Sequence, residues 1–249
     1  MALPALSFNF LSTLPGPIFP ESNFRVLQAL FRFFPHTDAR DALAQFLIDS
    51  PLASTWAFAA AFYYFWRVQD ERTLWRRGYL LALIASFCAI VIVTLIFRPW
   101  VGWPAPSLVI GFRELFPQFL WAQGNMNCFP SHSTFAYMFV ALGLWPFNRR
   151  LSVLLMLATL LLISLPRVYV GGHYPIDVLA GILLAAAGVG LARLSCGLSH
   201  VRNWLERAAS GGAKIEVFLF LWLFELGEGF RSGYGLWLTL LRVARGGFH

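Results

Sequence analysis

Three short stretches of the sequence combine residue types that can bind and attack a phosphorylated group. The first is Arg167-Val-Tyr-Val-Gly-Gly-His173-Tyr-Pro-Ile-Asp177. Pro175 is favoured in the first turn of a helix, so a helix is expected to start near Tyr174. Asp177 then sits in that turn, close enough to His173 to accept a hydrogen bond from one ring nitrogen. Such a bond fixes the tautomer and raises the basicity of the other nitrogen, as a nucleophile or general base requires. Gly171 and Gly172 allow the backbone to approach a ligand closely, and the planar donors of Arg167 suit a phosphate. The second stretch, Phe129-Pro130-Ser131-His132-Ser133-Thr134, reads as a helix start, where free N–H groups and the helix dipole favour an anion. The third is Arg98-Pro99, which closes an apolar run. Each stretch has a plain alternative: local capping, a simple helix start, and an interfacial arginine that snorkels. Their shared content of Arg, His and Ser, on one face of a membrane, favours a site.

Composition dictates what must hold these residues. Of 249 residues, 58% are hydrophobic and 12% charged, and aromatics reach 17%. The mean hydropathy is +0.64. Soluble domains carry nearer a quarter charged residues, so an all-α, multi-pass transmembrane bundle is expected. Low charge with high apolar content excludes disorder. Cys88, Cys128 and Cys196 do not form a disulfide scaffold, and five histidines (His36, His132, His173, His200, His249) show no spaced Cys/His metal set. The net charge is +7, with Lys214 the one lysine. There is no dense basic patch for nucleic acid, so the excess fits cytoplasmic loops and anionic headgroups.

Spans are expected at 51–66, 79–97, 133–147, 151–165 and 177–194, with 215–226 either a sixth span or an interfacial helix, since it carries Glu216 and Glu225. Residues 1–20 contain Pro4, Pro15, Pro17 and Pro20 and are not expected to span; they also lack the basic start and cleavage site of a signal peptide. Residues 24–34 place Phe24, Leu27, Leu30, Phe31 and Phe34 on one face, an amphipathic interfacial helix, and 41–48 repeats the pattern more weakly. The organisation is therefore an amphipathic segment over 1–50, a core over 51–197, and a C-terminal interfacial or sixth-span segment over 198–249. Arg67, Arg72, Arg76, Arg77, Arg149, Arg150, Arg193, Arg202, Arg207 and Lys214 fall in loops of one side, which the positive-inside tendency makes cytoplasmic. The polar stretches, and on this topology the first 50 residues, face the other way.

The three stretches resemble the signature motifs of the type-2 phosphatidate phosphatase superfamily, which also includes bacterial acid phosphatases, glucose-6-phosphatase and vanadium haloperoxidases. Its pattern is Lys-x6-Arg-Pro, then Pro-Ser-Gly-His, then Ser-Arg-x5-His-x3-Asp. This chain has Arg98-Pro99, Pro130-Ser131-His132 and Arg167-x5-His173-x3-Asp177, in that order, and the likeness covers about residues 52–195. Val91 stands where the first motif has Lys, the Gly of the second motif is missing, and Pro166 replaces the Ser of the third, with Ser164 nearby.

The resemblance implies a helical membrane bundle and a lipid phosphatase. His173 would attack phosphorus to form a phosphohistidine, Asp177 would orient it, and His132 would protonate the leaving oxygen and then activate water. Arg98, Ser131 and Arg167 would hold the phosphate oxygens, assisted by Ser133, by the backbone at Gly172, and by Arg113 in place of the missing Lys. The arginines supply the positive charge, so no cofactor or metal is implied. Expected partners are the lipid bilayer and a lipid substrate such as a polyprenyl diphosphate, phosphatidate or phosphatidylglycerophosphate, with no nucleic acid. The expected location is a bacterial inner membrane, with the site on the extracytoplasmic side. A phosphotransferase with the same intermediate, and an inactive lipid-phosphate binder, remain the alternatives.

Overall fold

Between Leu80 and Phe97 the chain has no proline and no charged residue, and every backbone group can bond within one helix, the condition for crossing lipid. The computed structural model describes residues 21–50, 55–101, 105–108 and 128–228, and every element among them is helical. Helices α1 (Glu21–Phe33) and α2 (Asp38–Asp49) precede α3 (Trp56–Arg67) and α4 (Thr73–Val101). A 3-10 turn at Pro106–Leu108 is followed by α5 (His132–Gly143) and α6 (Arg149–Ala158). A π-helical stretch, Thr159–Ser164, joins α6 to the short α7 (Leu165–Tyr169), and α8 (Pro175–Gly197), α9 (Ser199–Ala209) and α10 (Ala213–Gly227) follow.

Among the described residues, three stretches are long and apolar enough to cross a membrane: Thr73–Phe97, Arg149–Tyr169 and Pro175–Gly197. They correspond to the spans expected at 79–97, 151–165 and 177–194. The other expected spans are shorter helices: α3 and α5 have 12 residues each and α10 has 15. At 1.5 Å per residue these run about 18–22 Å, short of a hydrocarbon core of about 30 Å. Helix α5 stops at Gly143 rather than continuing to 147, because Gly143 and Pro146 both act as stop signals.

The core lies where α8 packs against both α4 and α5. Phe87 stacks on Phe135 with ring centroids 5.0 Å apart and meets Phe139 edge-on at 5.5 Å. Phe58, Phe62 and Trp66 of α3 and Leu219, Trp222 and Leu226 of α10 extend the same core. The opposite faces are apolar too: Ile92, Ile96, Leu154, Leu161, Leu183 and Leu194 are exposed. Helices apolar on all sides suit a lipid surround.

Charged residues gather at one end of the bundle. Arg76, only 6% exposed, donates to both carboxylate oxygens of Asp70 at 2.6 and 2.9 Å and to the Val68 carbonyl. The Arg76 guanidinium holds the Asp70 carboxyl below its usual range. Arg77 lies 5.3 Å over the Trp66 ring, whose indole N–H donates to Glu216 at 3.1 Å. Glu216 thus has a reason to stand in an otherwise apolar helix: it meets the last turn of α3, where Arg67 also lies 3.6 Å away.

At the other end, α1 and α2 form a second, smaller core. Leu27, Ala44 and Ile48 pack with Val168, Tyr169, Val170 and Tyr174, so the N-terminal helices sit against α7 and the start of α8. Of the face expected on α1, Leu27 is fully buried, whereas Phe34, just past the helix, is half exposed.

A β-carbon on Gly188 would come within 2.7 Å of Phe139, a ring buried at the α5–α8 crossing, while one on Gly190 would meet nothing within 4 Å. Gly188→Val is therefore expected to lower thermal stability, by about 1–3 kcal/mol. Gly190→Ala is expected to be neutral or slightly stabilising, since glycine is a poor helix former. Tryptophan-fluorescence melts of both variants in one detergent check the contrast.

Candidate functional site

The site is assembled where the start of α5 meets the start of α8. Ser131 is the N-cap of α5 and Tyr174 the N-cap of α8, with Pro175 in the first turn as its sequence suggests. The Ser131 N–H donates to the Asp177 carbonyl at 3.1 Å. This close approach needs Gly181: a β-carbon there would lie 2.8 Å from the Ser131 carbonyl oxygen and 3.1 Å from the Phe135 nitrogen. The first and second polar stretches of the sequence are thereby locked together.

Ser131 is fully buried, and its hydroxyl enters a chain of three. Ser131 Oγ lies 2.9 Å from Thr134 Oγ1, which lies 2.9 Å from Ser164 Oγ, and Ser164 donates to the Thr159 carbonyl at 2.9 Å. Each hydroxyl has one hydrogen. Because the hydrogen of Ser164 goes to Thr159, Thr134 must donate to Ser164 and Ser131 to Thr134. In this arrangement both donors of Ser131 point into the protein, its amide to Asp177 and its hydroxyl to Thr134. The chain ends in the π-helical stretch, beside Pro166, which cannot supply an N–H to the ladder. Arg167 donates to the Ile163 carbonyl of the same stretch at 2.8 Å.

Asp177 is fully buried and occupies the third helical position of α8, where helix-start N–H groups favour a negative charge. Its Oδ2 accepts the Tyr174 N–H at 2.8 Å. His173 Nδ1 stands 3.5 Å from the same oxygen and makes no hydrogen bond among the described residues. The expected pairing is thus present as proximity, at ion-pair distance, with the carboxylate oxygen already serving the backbone. Gly171 has φ +73°, a left-handed conformation suited to glycine, and its carbonyl accepts the Ser107 N–H at 2.9 Å. Gly172 bonds back to the Arg167 carbonyl at 2.8 Å. The turn between Arg167 and His173 is therefore closed by backbone bonds. Burial pushes the Tyr174 phenol up, with the nearby Cys128 and Asp177 adding to it, so it stays protonated.

The remaining expected residues are placed as follows. His132 and Ser133 are half-buried in the first turn of α5. Arg98 stands in the last turn of α4, with its side chain outside the described residues, and Arg113 lies outside them altogether. Two groupings escape a reading by spacing. Donor atoms of Cys128, His173 and Asp177 all lie within 4.8 Å of one another, although they come from two separate stretches. Tyr169 donates to Asp41 at 2.7 Å, and His36 Nδ1 lies 2.9 Å from the same oxygen, its ring 4.5 Å from the Tyr169 ring. Tyr169 lies between Arg167 and His173, so α2 braces the stretch that carries both.

Comparison with known proteins bears on this arrangement. Residues 79–197 match the family model described as PAP2 superfamily, the superfamily whose motifs the sequence resembles. Its members are typically phosphatases, and the described residues of this chain include helices apolar enough to cross a membrane. No curated protein and no solved structure matches the chain.

Gly181→Ala tests whether the contact of the two helix starts matters to the site. The added methyl meets backbone, which cannot rotate away, so the first turn of α5 must shift by a few tenths of an ångström or more. Phosphoester turnover is expected to fall about tenfold or more, since small displacements of catalytic groups are costly. Measuring turnover beside helical content by circular dichroism separates this effect from loss of fold.

Proposed function

We propose, starting from a chain whose residues 79–197 belong to the PAP2 superfamily, that it is an integral membrane phosphatase hydrolysing a lipid phosphate or diphosphate ester. The observation that carries the reading is the joining of the His173–Asp177 stretch to the helix start bearing His132, through the Ser131–Asp177 backbone bond. A nucleophile with its carboxylate, a second histidine and a helix N-terminus then share one end of the bundle, beside Arg167.

In the proposed reaction, Nε2 of His173 attacks phosphorus. The N–P bond forms as the ester P–O bond breaks, and His132 as imidazolium gives its proton to the leaving lipid oxygen. Asp177, on the Nδ1 side, stabilises the positive charge that develops on the ring. His132, now neutral, takes a proton from water; the water oxygen attacks phosphorus, the N–P bond breaks, and phosphate leaves. Arg98, Arg167 and Arg113 would offset the charge on the phosphoryl oxygens, with amides of the first turn of α5 and the backbone at Gly172. Ser133 lies in that same turn, and Ser131 contributes by holding the turn in place.

The apolar helices support a lipid substrate, whose phosphate would lie at the membrane edge. Phosphatidate, phosphatidylglycerophosphate and polyprenyl diphosphates all meet this description. The basic loops at the opposite end of the bundle support an extracytoplasmic site, as in a bacterial plasma membrane. A second reading, a binder without turnover, is supported by the 3.5 Å separation of His173 and Asp177 and by Val91 in the place of the motif Lys. Transfer of the phosphoryl group to an acceptor other than water would use the same intermediate.

Phosphate release across a panel of lipid phosphates and diphosphates, with His173→Ala as the blank, tests the proposal. His173→Ala is expected to abolish both turnover and any acid-labile phosphate trapped on the protein. His132→Ala is expected to slow turnover by roughly 10²–10⁴-fold, less for substrates with good leaving groups. Asp177→Asn keeps an oxygen for the Tyr174 N–H and is expected to lower the rate with little loss of binding. Saturable binding of a lipid phosphate that is weakened by Arg167→Ala, with no turnover by the wild type, would replace the enzyme by the binder. Arg113→Ala is expected to cut activity as Arg98→Ala does.

A further inference from the structure

We propose that Cys128, His173 and Asp177 form a site for a zinc-class divalent cation, and that its occupation silences His173. The observation is the convergence of three different ligand types on one point. A thiol, an imidazole nitrogen and a carboxylate oxygen lie within 4.8 Å of one another, with Cys128 2% exposed and the Asp177 side chain fully buried. Ligands held at 2.0–2.3 Å around one tetrahedral ion stand about 3.3–3.6 Å apart. The 3.5 Å between His173 Nδ1 and Asp177 Oδ2 is long for a hydrogen bond but fits two ligands of one ion. His173 Nδ1 is buried and makes no hydrogen bond among the described residues, so its lone pair can turn to the ion without breaking one of those. A shift on the order of 1 Å brings any longer separation into the same range.

Charge and ligand softness point to the same class of ion. On binding, the Cys128 thiol releases its proton to water, leaving one thiolate, one carboxylate and one neutral imidazole. Their two negative charges balance a divalent ion, which makes a buried site electrostatically neutral. Sulfur with nitrogen favours zinc or cadmium over magnesium or calcium, which prefer oxygen alone. Three protein ligands leave a fourth position for water.

The functional consequence follows from the imidazole, and it rests on the reading of His173 as nucleophile. A neutral imidazole that gives its Nδ1 lone pair to a metal carries its proton on Nε2. Nε2 then has no lone pair with which to attack phosphorus. The cation also takes up Asp177, the group that would balance charge on the ring. Occupation would thus lock the histidine in the wrong tautomer, and removal of the ion would restore it.

Direct metal binding is the decisive measurement. The full chain carrying Cys88→Ser and Cys196→Ser, so that Cys128 is the one thiol, is titrated in detergent with Cd²⁺. Thiolate-to-cadmium absorption in the ultraviolet reports binding, and equilibrium dialysis with Zn²⁺ gives the stoichiometry. One ion per chain is expected, with the absorption lost in Cys128→Ser and the affinity lowered tenfold or more in His173→Ala. Zn²⁺ should inhibit turnover at the concentration at which it binds, and Cys128→Ser should move that midpoint at least tenfold, each rate being normalised to the same variant without metal. Absence of the cadmium absorption, or Zn²⁺ binding that is unchanged by both Cys128→Ser and His173→Ala, would overturn the site. Cadmium binding with these losses, in a chain that turns over no phosphoester, would keep the metal site and remove the nucleophile reading.

Discussion

The backbone bond from Ser131 to the carbonyl of Asp177 is the contact on which the polar end of the molecule depends. It joins two helix starts, and helix starts are where backbone N–H groups lack partners within the helix. In a lipid surround each such group left unpaired is costly, so the bond satisfies one donor while fixing the distance between α5 and α8. It exists because residue 181 is glycine. The Ser131 carbonyl oxygen lies 2.8 Å from where a β-carbon would be, which leaves little freedom for either helix to slide.

Irregular backbone in the membrane part follows the same economy of donors and acceptors. Pro166 removes an N–H, and the helix before it loosens into a π-helical stretch. The carbonyls there do not go unanswered: Thr159 receives the Ser164 hydroxyl and Ile163 receives Arg167. The interruption therefore places an arginine and a hydroxyl chain at one end of the bundle. Away from it, the interior is sealed by aromatic rings such as Phe87, Phe135 and Phe139. Charged groups are paired toward the two ends, where α2 and Tyr169 brace one and Arg76 with Asp70 the other.

Much of this was legible in the residues. Pro175 announced the start of α8, with Asp177 in its first turn, and uninterrupted apolar runs announced the long helices. Apolar content alone could not measure α3, α5 and α10, whose shortness comes from stop signals and tertiary packing rather than from hydropathy. The association of α1 and α2 with the site was also hidden. Amphipathicity shows that Leu27 wants cover, but not that Val168 and Tyr174 will supply it. Cys128 escapes a reading by spacing for a related reason: metal spacing rules look along one segment, and its neighbours His173 and Asp177 come from another.

The contraction of Pro-Ser-Gly-His to Pro130-Ser131-His132 acquires a structural meaning at this point. Successive residues of a helix turn by about 100°. Ser131 caps α5 and turns inward to Thr134, buried to the last atom, so the next residue is carried round to a different direction. That residue is His132, which remains partly exposed. With both donors of Ser131 engaged inside, the proposed anion binding at this helix start would fall to the backbone amides that follow and to the arginines. Asp177 shows the complementary economy. Its carboxylate is held by the Tyr174 N–H and by its place in the first turn of α8, so its position does not depend on His173. His173 Nδ1 is thereby left 3.5 Å from a carboxylate oxygen already bonded to the backbone, which is why the proposed nucleophile and the proposed metal ligand are one and the same ring.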